Sequence, residues 1–128
     1  ENSAKGVDSK EFNIFSFTDA LGLRDRKLAW VIFHKALRAG VSAEELFWKA
    51  VWLFKNIILV SSINSNQNDL ILRLKISPFV IKKSRDFLKN YPEESLVVNY
   101  RKLIDIYHQF RRGNVEASMA VELFILNL

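Results

Sequence analysis

The chain has two histidines, His34 and His108, and no cysteine, so its general-base and soft-metal chemistry would centre on those two imidazoles. His108 follows Asp105 by three residues and lies between Arg101 and Arg112; His34 sits near Lys27 and Arg38. A carboxylate one helical turn before a histidine can orient its imidazole as a general base, but a base also needs a nucleophile or substrate pocket beside it. Neither histidine has the full set of carboxylate and histidine neighbours at ligand spacing that a metal site needs. Both therefore read as structural or surface residues. The absence of cysteine excludes disulfides, thiolate metal sites and cysteine nucleophiles. Four scattered glycines do not build a phosphate-cradling loop. The expectation is no catalytic residue, no cofactor and no metal.

Charge suggests a partner rather than a reaction. The net charge is +5, from 19 basic and 14 acidic residues. Lys82, Arg85 and Lys89 recur at spacings of three and four, a stripe that could follow a phosphate backbone. A solvated helix face explains the same spacing. Arg101, Lys102, Arg111 and Arg112 extend the basic character, and Asp105, four residues after Arg101, predicts a surface ion pair of modest value. No aromatic platform is interleaved with these lysines as single-strand binding favours. DNA is thus a weak candidate partner.

The elements that must carry these residues read as helices. At 128 residues the chain is one domain's worth, enough to bury roughly two-thirds of its unfolded surface. Its 49% hydrophobic and 26% charged content is that of a globular protein. No apolar run is long enough to span a membrane, and nothing at the start reads as a signal peptide. The lack of cysteine is compatible with a reducing cytoplasm, the expected location. The chain begins at Glu1 and not at methionine, which suggests a processed chain or a piece of a longer one. Residues 1–11 are expected to be a linker or an expression remnant, and residues 12–128 a helical domain.

Along that domain, "FNIFSFTDALG" predicts a short helix stopped by Gly22, and "RDRKLAWVIFHKALRAG" a helix stopped by Gly40. Ser42 with Glu45 is a capping box opening a helix to about Val60. "SSINSNQND" reads as a long loop, and "LILRLKI" as a helix end or short helix. Ser77-Pro78 opens the next helix. Pro92 opens another, with Glu93 and Glu94 at its start and Arg111 and Arg112 at its end, as the helix dipole prefers. Gly113 stops it, Asn114 caps the last helix, and that helix runs to Leu128. The fold class is all-α, a compact bundle of about six helices.

Two of these helices carry more apolar surface than one core requires. At about 100° per residue, Leu46, Phe47, Ala50, Val51, Leu53, Phe54, Ile57, Ile58 and Val60 share one half of the third helix. The opposite half holds Glu44, Glu45, Lys49, Lys55 and Asn56, yet among them lie Trp48, Trp52 and Leu59. The last helix presents Ala117, Ala120, Val121, Phe124, Ile125 and Leu128 on one face. Beyond Glu116 with Asn127, and Ser118 with Glu122, it presents a second strip of Val115, Met119, Leu123 and Leu126. Either other helices of the same chain cover both strips, or at least one strip is a subunit interface, where aromatics and methionine concentrate. Burying four such side chains contributes about 6–10 kcal/mol of gross transfer energy before association costs.

Three stretches carry a family resemblance. "FTDALGLRDRKLAWVIFHKAL" resembles the entry into the C-terminal domain of the delta subunit of bacterial DNA polymerase III. "SPFVIKKS" resembles that family's Pro-Phe-Val-plus-lysines motif through Pro78, Phe79, Val80, Lys82 and Lys83. "YHQFRRGNVEASMAVELFILNL" is similar to its ending, a helix, a short turn and a leucine-rich terminal helix. The likeness spans roughly Phe12 to Leu128. It implies a helical collar domain, one of five that close into a ring in the clamp loader, the assembly that places the sliding clamp on primed DNA. The implied partners are loader subunits of the gamma/tau and delta-prime types, with no membrane and no cofactor. The implied activity of this segment is oligomerisation and not catalysis, although its parent would belong to the DNA polymerase III holoenzyme. On that view Trp48, Trp52, Leu59, Val115, Met119, Leu123 and Leu126 are the subunit-contact residues. The rival from another class is a free-standing nucleic-acid-binding module using Lys82, Arg85 and Lys89.

Overall fold

The computed structural model describes residues 12–63 and 75–128. They form six α-helices, with no strand among the described residues: α1 (Ile14–Gly22), α2 (Arg26–Arg38), α3 (Ala43–Ser61), α4 (Pro78–Phe87), α5 (Glu93–Arg111) and α6 (Ala117–Leu126). A single 3₁₀ turn, Leu88–Asn90, follows α4. The all-α bundle expected from the sequence is therefore the fold.

Four helices begin on side-chain caps. Asn13, Asp25, Ser42 and Ser77 each accept a hydrogen bond from a backbone N–H of the first turn, from Phe15, Leu28, Glu45 and Val80 respectively. Each thus satisfies a donor that a helix start otherwise leaves unpaired. Gly40 and Gly113 take φ of +96° and +79°, ending α2 and α5 as glycine's conformational freedom permits.

Gly22 plays a different part from the expected one. It is not left-handed; Arg24 takes that conformation instead, with φ +58°. A Cβ on Gly22 would lie 2.4 Å from the Phe87 ring, so glycine serves there to admit α4 against α1. The end of α1 is then sealed from far along the chain. Asn90 Nδ2 donates to the Gly22 carbonyl at 2.9 Å, and the buried Tyr91 hydroxyl donates to that of Leu21. Burial pushes the Tyr91 phenol well above its ordinary pKa, against the opposing pull of Arg24. Asn114 does not cap α6: Glu116 holds that position without a side-chain cap, and Asn114 Nδ2 donates to Gln109 Oε1 at 3.0 Å. Of the expected loop, Ser61 ends α3 and Ile63 is buried. Ser62 caps the end of α3, and residues 64–69, with residues 70–74 of "LILRLKI", lie outside the described residues.

α3 is the axis of the bundle, packed against α1, α4, α5 and α6. Leu46, Phe47, Ala50, Leu53, Phe54, Ile57 and Val60 are buried along it, while Val51 and Ile58 are half-buried. Phe54 meets Tyr91 and Phe124 edge-on at 5.2 and 5.8 Å, joining α3 to the segment after α4 and to α6. From α6 the core receives Ala120, Val121, Phe124, Ile125 and finally Leu128. The apolar C-terminus is thus half core.

Candidate functional site

Once the core is closed, both surplus strips remain at the surface. On α3, Trp48 is 50% and Trp52 36% exposed, with Leu59 half-buried. On α6, Met119, Leu123 and Leu126 are 56%, 52% and 46% exposed, with Val115 half-buried just ahead of the helix. Isolated exposed hydrophobes are ordinary; two rows of large ones at helical spacing are not.

Neighbouring helices hold and widen each strip. Trp48 leans on α5, its ring 5.4 Å from Tyr107, and the Arg111 guanidinium stands 5.8 Å above that tyrosine. Trp52 meets Phe15 of α1 edge-on at 6.5 Å, with the Lys49 ammonium 5.9 Å from its own ring. Leu123 lines a shallow depression of about 370 Å³ with Ile106 and Lys102 of α5. α5 is therefore the element that both strips share.

The α6 strip also has a polar anchor that the sequence reading missed. Trp30 Nε1 of α2 donates to Glu122 Oε2 at 2.8 Å, and His34 Nε2 lies 3.0 Å from the same oxygen. The Trp30 hydrogen bond, followed by that of His34, holds the Glu122 carboxyl below its usual range. His34, placed on a basic face by the sequence, is thus turned toward an acid on another helix. The exposed indole of Trp30 is fixed beside α6, adding a third tryptophan to the outward surface. The only local signal was the four-residue spacing of Trp30 and His34; Glu122 lies 92 residues from Trp30.

The stripe Lys82, Arg85 and Lys89 lines none of the described pockets. Lys82, Arg85 and Lys89 are exposed along the outer side of α4 and the turn after it. Lys83 is drawn off to Asp19 at 2.7 Å. Arg101 and Asp105 form no ion pair; the pairs among the described residues are Lys83 with Asp19 and His34 with Glu122. Asn56, expected on the solvent side of α3, is 8% exposed. His108 is exposed on α5. Among the described residues no cluster of three or more histidines or carboxylates could hold a metal, and no helix is long and apolar enough to cross a membrane.

No curated protein and no solved structure matches the chain. A family model does: that of the DNA polymerase III delta subunit, C-terminal domain, over residues 11–128. That match takes in all six helices, both apolar strips and the Pro78–Lys83 motif. The chain accordingly belongs to the C-terminal domain family of the DNA polymerase III delta subunit, a clamp-loader subunit of DNA replication.

Proposed function

We propose that residues 12–128 are the collar-type oligomerisation domain of this delta subunit, entered through residues 1–11 as a linker. The domain holds its subunit in a pentameric loader, working in the cytoplasm beside gamma/tau-type and delta-prime-type subunits, and performs no catalysis itself. The observation that carries this reading is the exposure of Trp48, Trp52, Met119, Leu123 and Leu126 in two rows on a domain whose core is already complete. A collar protomer has a neighbour on each side, so two outward strips match two contacts. Leu59 and Val115, half-buried at the ends of the rows, complete them. Membership in a clamp-loader subunit family supports the reading.

The test is co-purification with the other loader subunits. The wild-type domain is expected to be retained, and Leu123→Glu to be lost from the complex with its helical circular dichroism intact. Retention of Leu123→Glu together with Trp48→Glu would refute the reading. The second reading, DNA contact, rests on the shared exposure of Lys82, Arg85 and Lys89. It requires tight binding whose affinity falls steeply with salt, whereas the collar reading expects weak or no binding by the isolated domain.

A further inference from the structure

Between α1, α3 and α4 lies a cavity of about 530 Å³. Buried Leu53 and Phe87 form its floor, and Phe15 and Phe79, 53% and 66% exposed, stand with Trp52 at its mouth. It adjoins a second cavity of about 480 Å³, and Trp52, Asn56, Ser77 and Val80 line both. The second adds Leu59 and Ile76 to the apolar wall, and Lys55 and Lys75 to the rim. The two make one trough along the α3–α4 boundary.

The charge of the trough is one-sided. Among the described residues its single lining carboxylate, Asp19, is neutralised by Lys83 at 2.7 Å. Lys55 and Lys75 meet no described carboxylate within ion-pair distance, and Lys49 stands against Trp52. An apolar slot with exposed aromatic lips and a cationic rim is complementary to an apolar side chain flanked by acids. Nucleic acid fits less well. Stacked bases need open ring faces beside free cations, but Trp52 is engaged by Phe15 at 64°, and Phe79 is partnered by a lysine already bound to Asp19.

We propose that this trough binds an acidic segment of a partner protein. The segment inserts a bulky apolar side chain between Phe15, Trp52 and Phe79, and sets its carboxylates against Lys55 and Lys75. This goes beyond the collar reading and shares only Trp52 and Leu59 with it. The test therefore uses Phe79, Lys55 and Lys75, which the proposed subunit contact does not include.

The probe is an array of short fluorescein-labelled peptides in which aspartates flank two adjacent positions varied over the apolar residues. A matched array carries lysine in place of aspartate, and oligo-dT is the nucleic-acid control. Members of the aspartate array are expected to bind the chain, and to weaken as salt rises. Binding should fall at least ~10-fold for Phe79→Ala, as loss of a central aromatic contact does. The Lys55→Glu/Lys75→Glu variant should bind the lysine array instead. No binding by any aspartate peptide, equal binding of both arrays, or oligo-dT binding that depends on Phe79 overturns the proposal. Loader assembly, measured in parallel, should not change in Phe79→Ala. Failure of the wild-type domain to assemble sinks the collar reading alone, and failure of the arrays sinks this proposal alone.

Discussion

Gly22→Ala puts one methyl group where the Phe87 ring already is. The added Cβ would stand 2.4, 2.5 and 2.6 Å from three ring carbons. Non-bonded carbons prefer about 3.5–4.0 Å, so the ring or the helix must yield by about 1 Å. Phe87 belongs to the buried core, and its open side is the trough, so the ring can retreat only by filling that cavity. Overpacking of this kind costs about 1–3 kcal/mol. Replacing a helical glycine by alanine returns up to about 1 kcal/mol. The net expectation is a loss of about 1–2 kcal/mol, which for a domain of this size lowers Tm by roughly 3–10 °C in a circular dichroism melt. The sign should invert once the ring is gone. In a Phe87→Ala background, itself costing about 3–5 kcal/mol, adding Gly22→Ala should be neutral or stabilising. A Gly22→Ala protein as stable as wild type, or the same destabilisation in both backgrounds, refutes the close approach of α1 and α4.

Other expectations are simpler. Ser42→Ala removes the cap from Glu45 N and should cost about 1 kcal/mol in chemical denaturation; no change would mean that the start of α3 is held by packing alone. Tyr91→Phe deletes the hydrogen bond to Leu21 and should cost about 0.5–1.5 kcal/mol. The cost stays modest because the Leu21 carbonyl also accepts from Arg24 N, and a loss of fold would contradict it. Glu122 has a folded-state pKa below its ordinary value, through Trp30 first and His34 second. Its contribution is therefore complete above the unfolded value and is lost as pH falls through the lower, folded one. Tryptophan fluorescence should show an acid transition in wild type that disappears in Glu122→Gln; an identical titration in the variant removes the anchor at Trp30.

What the sequence disclosed and what it concealed divide along sequence distance. Ser42 and Ser77 announce helix starts because the N–H groups they cap lie within one turn, and Pro92 because within a helix its ring suits only the start. The outward rows of Trp48 with Trp52 and of Met119, Leu123 and Leu126 were also readable, since a helix wheel separates core from surface without a partner. Gly22 was misread because its role is set by Phe87, on another helix. Asn114 carried the signature of a cap but turned back to Gln109. His34 and Trp30 gave no sign of Glu122, and Asn56 looked polar and therefore solvated until α4 packed beside α3. The lysine stripe lacked aromatics along its own helix face. The rings of Phe15, Trp52 and Phe79 gather from three helices, an assembly that no linear window displays.

The central claim is that the exposed rows are contacts between loader subunits. Size-exclusion chromatography with light scattering on the domain mixed with the other loader subunits tests it most directly, comparing wild type with a Trp48→Glu/Leu123→Glu variant. Wild type should elute within the complex, and the folded variant should elute alone at the mass of a monomer. A variant that enters the complex as fully as wild type would contradict the account.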